Sequence, residues 1–380
     1  MINLIKIILI LLASFNVACS PDNKLMGWIP GSSIIEAPEN SKLEFVVQPT
    51  DGKADTNFAT SIQVRILDED NDIIDNFAGP ITIGIETDPL TGSETYGSPT
   101  VNAIDGVATF NNLQITQKGI GFALNATSGT ATKAVSNTFT LVQPIYRSVG
   151  EGSSTAIETG AGNAMTISGF TASFATALDS KVGVGDAIQY DTSGDTTPEE
   201  IVFIHKRIDN QTYFVKKAEG SKPTAIANKN DWSLFRAYDV TDVDLGVENS
   251  GINGAVSDFD SQNNNLDLVT RNEEWNIALY ADVEITGRVR ANEGNVTDST
   301  HWINYFAPYK PEHVGVSQRH NGVWDPSKAL IRITDGGSYA VYACNPYFKF
   351  EGFQVYAKSG ALRASPFDCM IESGDIVFAN

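Results

Sequence analysis

The sequence is poor in cysteine: only Cys19, Cys344 and Cys369 occur in 380 residues, and no CxxC pair is present. So low a count excludes a disulfide-rich scaffold and gives no support for a metal site built from thiolates. If Cys19 is modified, Cys344 and Cys369 remain as a candidate disulfide or stacked pair in an oxidising compartment.

Basic residues are also scarce, because 26 Lys and Arg stand against 46 Asp and Glu and give a net charge of −20. Binding to nucleic acid is driven by neutralisation of phosphates with Lys and Arg. The balance therefore argues against nucleic acid, and against anionic lipid headgroups, as partners. Acidity that merely keeps an exported protein soluble explains the charge equally well.

Long apolar runs are absent, and the apolar stretch near the start of the chain is short. Lys6 precedes an apolar stretch at residues 7–13, and small residues follow before Cys19. The stretch is far below the roughly 20 residues that a membrane-spanning helix needs. A basic start, a short apolar run and small residues in this order are typical of a signal peptide, predicted here as residues 1–18.

Residues 17–19 resemble the lipobox of bacterial lipoproteins, in which small residues precede a cysteine that is acylated and becomes the new N-terminus. Asn16 departs from the family pattern, which has an aliphatic residue there. The resemblance implies lipid attachment at Cys19 and a membrane anchor, and Ser20 implies sorting to the outer membrane or cell surface of the bacterial envelope. More than one acyl chain gives stable anchoring. The alternative is an ordinary signal peptide cut nearby, which leaves Cys19 as a free thiol or removes it.

Turn-forming residues are abundant and long helical patterns are missing, so the sequence predicts an all-β protein. Residues 19–42 are polar with scattered prolines and predict a flexible tether. From Leu43 onwards, short segments alternate apolar and polar residues with a period of two, as in residues 61–67 and 81–85.

Such segments recur at short intervals through residues 43–142, which is typical of an immunoglobulin-like β-sandwich. The segments at 45–49, 64–68, 106–113 and 119–124 resemble the bacterial immunoglobulin-like repeats of invasins and related surface proteins. In that family the domain is usually a spacer or adhesive stalk, so the resemblance implies a stalk without chemistry of its own.

Residues 143–244 predict a small β-rich intermediate domain, in which residues 200–207 pair with 211–215 across a turn. Strand-like pieces then recur through residues 245–380.

Cys344 and Cys369 lie 25 residues apart, about one coil of a solenoid. The strand, Gly352 and strand step resembles a corner of right-handed parallel β-helix proteins. The resemblance implies a β-helix-like region over residues 245–380. Its pattern stops without a capping unit, so we expect an incomplete solenoid or one covered by another part of the chain.

Two kinds of ligand site can be considered from the residues. Asp68, Asp70 and Asp72 alternate as the first ligands of calcium loops do. Ile73 stands where such a loop has Gly, so we favour a solvated hairpin turn over a calcium site. Motifs for phosphate, dinucleotide, zinc or serine-hydrolase chemistry are missing, and no catalytic residue can be assigned.

Aromatic residues give the second candidate, since four of the five tryptophans follow residue 230. Aromatic faces beside polar groups suit sugar rings. We therefore take Trp302, Trp324 and Tyr305 as candidate ligand-binding residues, with burial in the core as the alternative. The expectation is a non-catalytic surface binding or adhesion protein for polysaccharide. The alternative is a polysaccharide lyase or glycoside hydrolase of the β-helix fold.

Overall fold

The computed structural model describes residues 34–151, 156–240, 252, 267–291, 295–334, 340–343, 347–358, 367–369 and 376–379. Nearly all regular structure in these ranges is strand, and the exception is the four-residue helix α1 (Leu268–Arg271). The prediction of an all-β chain is thus confirmed. None of these residues belongs to a helix long and apolar enough to cross a membrane. The predicted signal peptide, Cys19 and Cys344 lie outside the described residues.

The N-terminal module (residues 34–142) contains two sheets that share one core. Its strands are β1 (Lys42–Val47), β2 (Gly52–Lys53), β3 (Ile62–Leu67), β4 (Pro80–Thr87), β5 (Thr95–Tyr96), β6 (Thr100–Asn102), β7 (Val107–Phe110), β8 (Gln114–Ile115), β9 (Gly119–Thr127), β10 (Ala134–Val135) and the start of β11 (Phe139–Gly150). Antiparallel strands β1–β3–β7 form one sheet and β6–β4–β9–β11 the other. Alternate residues such as Val64 and Ile83 fill the core because successive side chains of a strand point to opposite faces.

The last part of the predicted tether lies against this module. The Ile34 amide donates to Asn76 O at 2.9 Å, and Ala78 N donates to Ile34 O at 2.7 Å. The chain is therefore held to the two sheets of this module from residue 34, eight residues before β1 begins.

The middle module (residues 156–237) is one antiparallel sheet that curls around its own core. Its strands are β12 (Glu158–Thr159), β13 (Met165–Ser168), β14 (Thr171–Phe174), β15 (Ala187–Tyr190), β16 (Glu200–Arg207), β17 (Thr212–Lys216), β18 (Ile226–Lys229) and β19 (Trp232–Phe235). They follow the order β12-β19-β15-β16-β17-β14-β13-β18. Because β18 and β19 are consecutive in the chain, the two ends of the sheet lie close together, and Trp232 Nε1 donates to Asn163 O at 2.8 Å. The predicted pairing of β16 with β17 is confirmed.

The C-terminal module (residues 143–150 and the described residues between 238 and 379) is built from parallel ladders. Its further strands are β20 (Tyr238–Asp239), β21 (Glu273–Leu279), β22 (Val289–Ala291), β23 (Ile303–Phe306), β24 (Leu330–Ile333), β25 (Val341–Ala343), β26 (Phe348–Glu351), β27 (Gln354–Ala357), β28 (Phe367–Cys369) and β29 (Ile376–Ala379). Strands β11–β21–β23–β26–β29 form the first parallel sheet, β22–β25–β28 the second and β24–β27 the third. Within each of these sheets, every strand pairs in parallel with the strand named before it.

The start of this stack differs from the sequence-based boundary. Residues 143–150, which the sequence places in the intermediate domain, pair in parallel with β21, so that Tyr146 faces Asn276. The single strand β11 therefore leaves the N-terminal module and becomes the first strand of the parallel stack. The middle module is inserted directly after it.

The middle module covers the first layer of the stack. Phe203 and Phe235 of the middle module share a core with Trp275 and Ile145 of the stack. The backbones meet at Gly185, where φ is +88° and a Cβ would lie 2.4 Å from Arg147 C. Only glycine permits this approach, and Ser148 N donates to Gly185 O at 3.0 Å across it.

Candidate functional site

A row of polar side chains crosses the first parallel sheet on the face opposite its core, and Asn276 in this row is itself buried. Tyr146, Asn276, Asn304 and Lys349 occupy matching positions on β11, β21, β23 and β26. Asn304 Nδ2 donates to Asn276 Oδ1 at 3.3 Å. Tyr146 and Lys349 are three strand spacings apart, about 14 Å. A concave region lies at each end of this row, and we call them the Trp302 groove and the junction cavity.

The Trp302 groove has a volume of about 440 Å³ and lies between the N-terminal and C-terminal modules. Asp51, Lys53 and Thr140 are among its residues from the first, and Ser299, Thr300, His301, Trp302 and Lys349 from the second. The Trp302 indole is partly exposed, with Lys349 Nζ 4.5 Å from the centre of its ring. An aromatic ring with polar groups around it can hold a hydroxylated ring ligand.

Hydrogen bonds fix the wall of the Trp302 groove. Trp302 Nε1 donates to Ser299 O at 2.9 Å, and the Tyr347 ring contacts the indole at a centroid distance of 5.2 Å. His301 is held between Asp298 Oδ1 at 2.7 Å and Asn272 Oδ1 at 3.2 Å. Burial of Asp298 opposes ionisation, but hydrogen bonds from Thr300 and His301 lower its pKa to about 2. The indole is therefore presented on a pre-organised surface.

The other aromatic candidates lie elsewhere. Trp324 is 50% exposed and packs beside Tyr356 outside the groove, with a ring-centroid distance of 6.2 Å. Tyr305 is fully buried and stacks on Phe350 inside the C-terminal module. The prediction that Tyr305 contacts a ligand is therefore wrong, because its position in β23 faces the core.

The junction cavity, of about 630 Å³, lies where all three modules meet. The N-terminal module contributes Asp55 and Tyr96, the middle module contributes residues 205–208, and the C-terminal module contributes Tyr146 and residues 310–313. No sequence pattern indicates this cavity, because its wall joins segments that are far apart in the chain.

Two histidines give the junction cavity its chemistry. His205 is 6% exposed, and neither of its ring nitrogens has a hydrogen-bond partner. His313 Nδ1 is also buried without a partner. Burial, together with the charges of Lys216 and Arg147, holds the pKa of His205 well below 6.5. Burial and the nearby Lys310 lower the pKa of His313 to about 4. Both imidazoles are neutral near pH 7 and can each donate and accept.

The position of His205 has a local cause. The register of β16 against β17 shifts between Ile204 and Lys206, so His205 is the extra residue of a β-bulge. A bulge re-aims a side chain out of the regular alternation. Here the imidazole meets the edge of the Tyr146 ring at a centroid distance of 5.4 Å. The sequence contains no zinc motif, and no other motif singles out His205.

Charges around the junction cavity are mostly basic. Lys206, Arg207 and Lys310 line it, opposed by Glu312 and Asp55. Asp55 is paired with the buried Lys216 at 2.8 Å. Burial raises the pKa of the Asp55 carboxyl, and the Lys216 ammonium opposes that shift. Among the lining groups, three cations thus face one carboxylate without such a partner, although the whole chain carries a net charge of −20.

The predicted calcium candidates form a hairpin turn. Asp68 Oδ1 accepts from the amides of Asp70 and Asp72 at 3.0 and 2.9 Å. In the described part of the chain, the carboxylates that approach one another within 4.8 Å as a group belong instead to Asp191, Asp195 and Glu199.

The carboxylate of Asp191 already serves its own loop. It accepts from the amides of Gly194 and Thr196, among others, and these hydrogen bonds lower its pKa. An acidic loop of this kind is stabilised without a cation, so it is not interpreted as a metal site. Of the cysteine pair, Cys369 ends β28 and Cys344 lies outside the described residues.

The pKa of His205 predicts how stability depends on pH. An unfolded histidine takes up a proton below about pH 6.5, whereas the buried His205 does not, so acidification favours the unfolded state. We expect His205 to remove about 1.4 kcal/mol of unfolding free energy for each pH unit below 6.5. The measurement is chemical denaturation between pH 7.5 and 5 of wild type and the His205→Phe variant. The variant should lose stability less steeply on acidification, and parallel curves would refute the prediction.

The chain matches no protein-family model, and no curated protein matches it in sequence. Function is therefore inferred from the geometry of the groove and the cavity.

Proposed function

We propose that the chain is a lipid-anchored binding protein of the bacterial cell surface and that its ligand is a polysaccharide. In this proposal Cys19 carries the lipid and the N-terminal module is an immunoglobulin-like sandwich. The C-terminal module is a parallel β-helix whose first layer is capped by the middle module. The two-sheet core of the first and the stacked parallel ladders of the second support these assignments.

The observation that carries the ligand class is the Trp302 groove. Its indole lies beside hydroxyl, amide and ammonium groups at the junction of two modules. A sugar ring offers apolar C–H faces and hydroxyls at once, which is the pattern that such a surface complements. Lys349 of the groove and the half-buried Asn304 occupy neighbouring positions on β26 and β23, so the polar surface continues past the indole towards a chain-like ligand.

Replacing Trp302 with alanine should weaken polysaccharide binding. We expect at least about a tenfold loss of affinity, equivalent to about 1.4 kcal/mol, because the stacking surface is removed. The measurement is affinity electrophoresis of wild type and variant in gels that contain pectin, alginate or xylan.

Trp324→Ala is the matched control, since it removes an exposed indole outside the groove. Its mobility should equal that of the wild type. Equal retardation of wild type and Trp302→Ala, or no retardation in any gel, would contradict the proposal. Release of unsaturated or reducing ends by the purified protein would instead favour the enzymatic alternative.

The lipid anchor predicts a separate result. Wild-type cells fed radiolabelled palmitate should yield a labelled protein in the membrane fraction, because acyl chains at Cys19 hold it on the bilayer. The Cys19→Ala variant should be unlabelled and should leave the membrane fraction. A variant that still partitions with membranes would exclude Cys19 as the anchor.

A further inference from the structure

The junction cavity contains buried polar groups that the Trp302 groove does not use. His205 has two buried ring nitrogens without partners, and His313 has one. Each unsatisfied group of this kind costs roughly 1–3 kcal/mol. A ligand with hydroxyl groups would satisfy them, since a hydroxyl both donates and accepts.

The charge of the cavity selects among hydroxylated ligands. Lys206 and Lys310 have exposed side chains, and Arg207, which also lines the cavity, donates from Nη1 to Pro311 O at 3.4 Å. The Arg207 amide also donates to Glu312 O at 2.7 Å, which fixes the basic segment against the 310–313 loop. Three cations on one rim attract an anionic group and oppose a cationic one.

Aromatic surface completes the cavity. Tyr96 is 49% exposed and packs edge-on against Phe214, and Tyr146 lies beside His205. A volume of about 630 Å³ falls within the range that holds a small organic ligand. The cavity thus combines an apolar wall, neutral imidazoles and a basic rim.

We propose that the junction cavity binds an anionic sugar unit, with its carboxylate or sulfate at Lys206, Arg207 and Lys310 and its ring hydroxyls at His205 and His313. This inference rests on the proposed function for the choice of a saccharide, but it uses different residues. It makes the chain selective for acidic rather than neutral polysaccharides. Sequence composition alone argues the opposite, because the chain as a whole is strongly acidic.

Titration calorimetry of the full mature chain tests the cavity with three probes of similar size: digalacturonate, a sulfated disaccharide and a neutral disaccharide. We expect either or both anionic probes to bind at least about tenfold more tightly than the neutral one. Their affinity should fall as salt is added, because charge attraction is screened. Equal affinity for all three probes, or no binding by the anionic two, overturns the proposal.

Two sets of variants locate the binding. Lys206→Gln combined with Lys310→Gln should lower the affinity for the anionic probe at least about tenfold and make that affinity less dependent on salt concentration. The control, Lys133→Gln combined with Lys222→Gln, removes the same charge from exposed sites elsewhere and should bind as wild type does. An equal loss in the control would assign the effect to overall charge and overturn the site.

His205→Phe separates a ligand group from a structural one. The substitution removes two unpartnered nitrogens and keeps an aromatic ring, so the midpoint of unfolding should stay unchanged or rise. Binding of the anionic probe should nevertheless be lost. Wild-type affinity in this variant would exclude His205 from the site.

Trp302→Ala distinguishes the inference from the proposed function. It should keep disaccharide binding and lose polysaccharide retention. If no disaccharide binds but the polysaccharide is retained through Trp302, the cavity proposal fails and the proposed function stands.

Discussion

The Arg236→Ala variant is expected to lose about 3–5 kcal/mol of unfolding free energy, which is the cost of breaking a fully buried ion pair. Arg236 is 1% exposed and lies between two carboxylates of different modules. Its Nη1 donates to both oxygens of Asp186 at 2.6 and 2.7 Å, and its Nε donates to Asp282 Oδ2 at 2.7 Å. Alanine would leave Asp186, which is fully buried, without its counter-ion.

The surrounding contacts make the arginine hard to replace. Nη2 donates to Asp282 Oδ1 and to Lys181 O, both at 3.2 Å, and the guanidinium lies 3.5 Å from the centre of the Tyr280 ring. Lysine lacks this planar fork of donors, so Arg236→Lys should also be destabilised.

Arg65→Ala serves as the control for Arg236→Ala because its partner Glu44 is exposed. Exposed pairs contribute roughly 0–1 kcal/mol. Urea unfolding followed by tryptophan fluorescence gives both values. A loss in Arg236→Ala no larger than that in Arg65→Ala would show that the ion pairs of Arg236 with Asp186 and Asp282 do not stabilise the fold.

Lys216→Ala should cost a comparable amount, about 3–5 kcal/mol, because it leaves the Asp55 carboxylate without its buried counter-ion. Lys216 is completely buried in the middle module. Its ammonium bonds Asp55 Oδ2 at 2.8 Å, Gln143 Oε1 at 3.1 Å and the Thr116 carbonyl. Three acceptors match the three N–H donors of an ammonium. All three acceptors lie outside the middle module. The loss of stability should therefore appear as weaker docking of the middle module on the other two modules.

A double variant separates charge from packing at this position. Lys216→Met with Asp55→Asn removes both charges and keeps most of the volume, so it should recover a large part of the stability lost in Lys216→Ala. Limited proteolysis within the middle module (residues 156–237) should accelerate in Lys216→Ala and return towards wild type in the double variant. Equal losses in single and double variants would refute the ion-pair explanation.

Strands could be predicted from the sequence where the signal is local. Residues 61–67 alternate in polarity and match β3 (Ile62–Leu67), and residues 200–207 match β16 (Glu200–Arg207). Period-two alternation and turn residues are properties of neighbouring positions, so a single sequence carries them. The double role of β11 carries no such signal, because its partner at Asn276 is far along the chain.

The candidate sites show the same limit. Trp302 could be found from the enrichment of aromatics, but the opposite wall of its groove comes from Asp51 and Lys53, which only tertiary packing brings there. Tyr305 failed as a candidate because a change of one position in a strand moves a side chain to the other face. Asn304, its neighbour, faces outwards and belongs to the polar row.

The sequence around His205 carries a signal, but that signal does not say what the side chain contacts. A polar residue in the otherwise apolar segment 201–205 is unusual, yet the β-bulge that turns it into the cavity depends on its pairing with β17. Burial without partners is visible only in three dimensions. The sequence could therefore have flagged the residue, but it could not have assigned its surroundings.

The arrangement of modules suits the proposed binding function. Ion pairs join the modules near both regions: Lys216 with Asp55 at 2.8 Å beside the junction cavity, and Lys118 with Glu273 at 2.6 Å between the N-terminal and C-terminal modules. A site between rigid modules loses little conformational entropy on binding. In the proposed function, a polysaccharide is therefore held at the Trp302 groove without rearrangement of the chain.

Hydrogen–deuterium exchange with and without bound acidic polysaccharide tests the location of the binding surface most directly. We predict slower exchange in peptides that cover residues 299–306 and 347–351, and unchanged exchange in the 68–72 hairpin. Protection that is absent from 299–306 while the polysaccharide is demonstrably bound would contradict the assignment of the Trp302 groove as the binding surface.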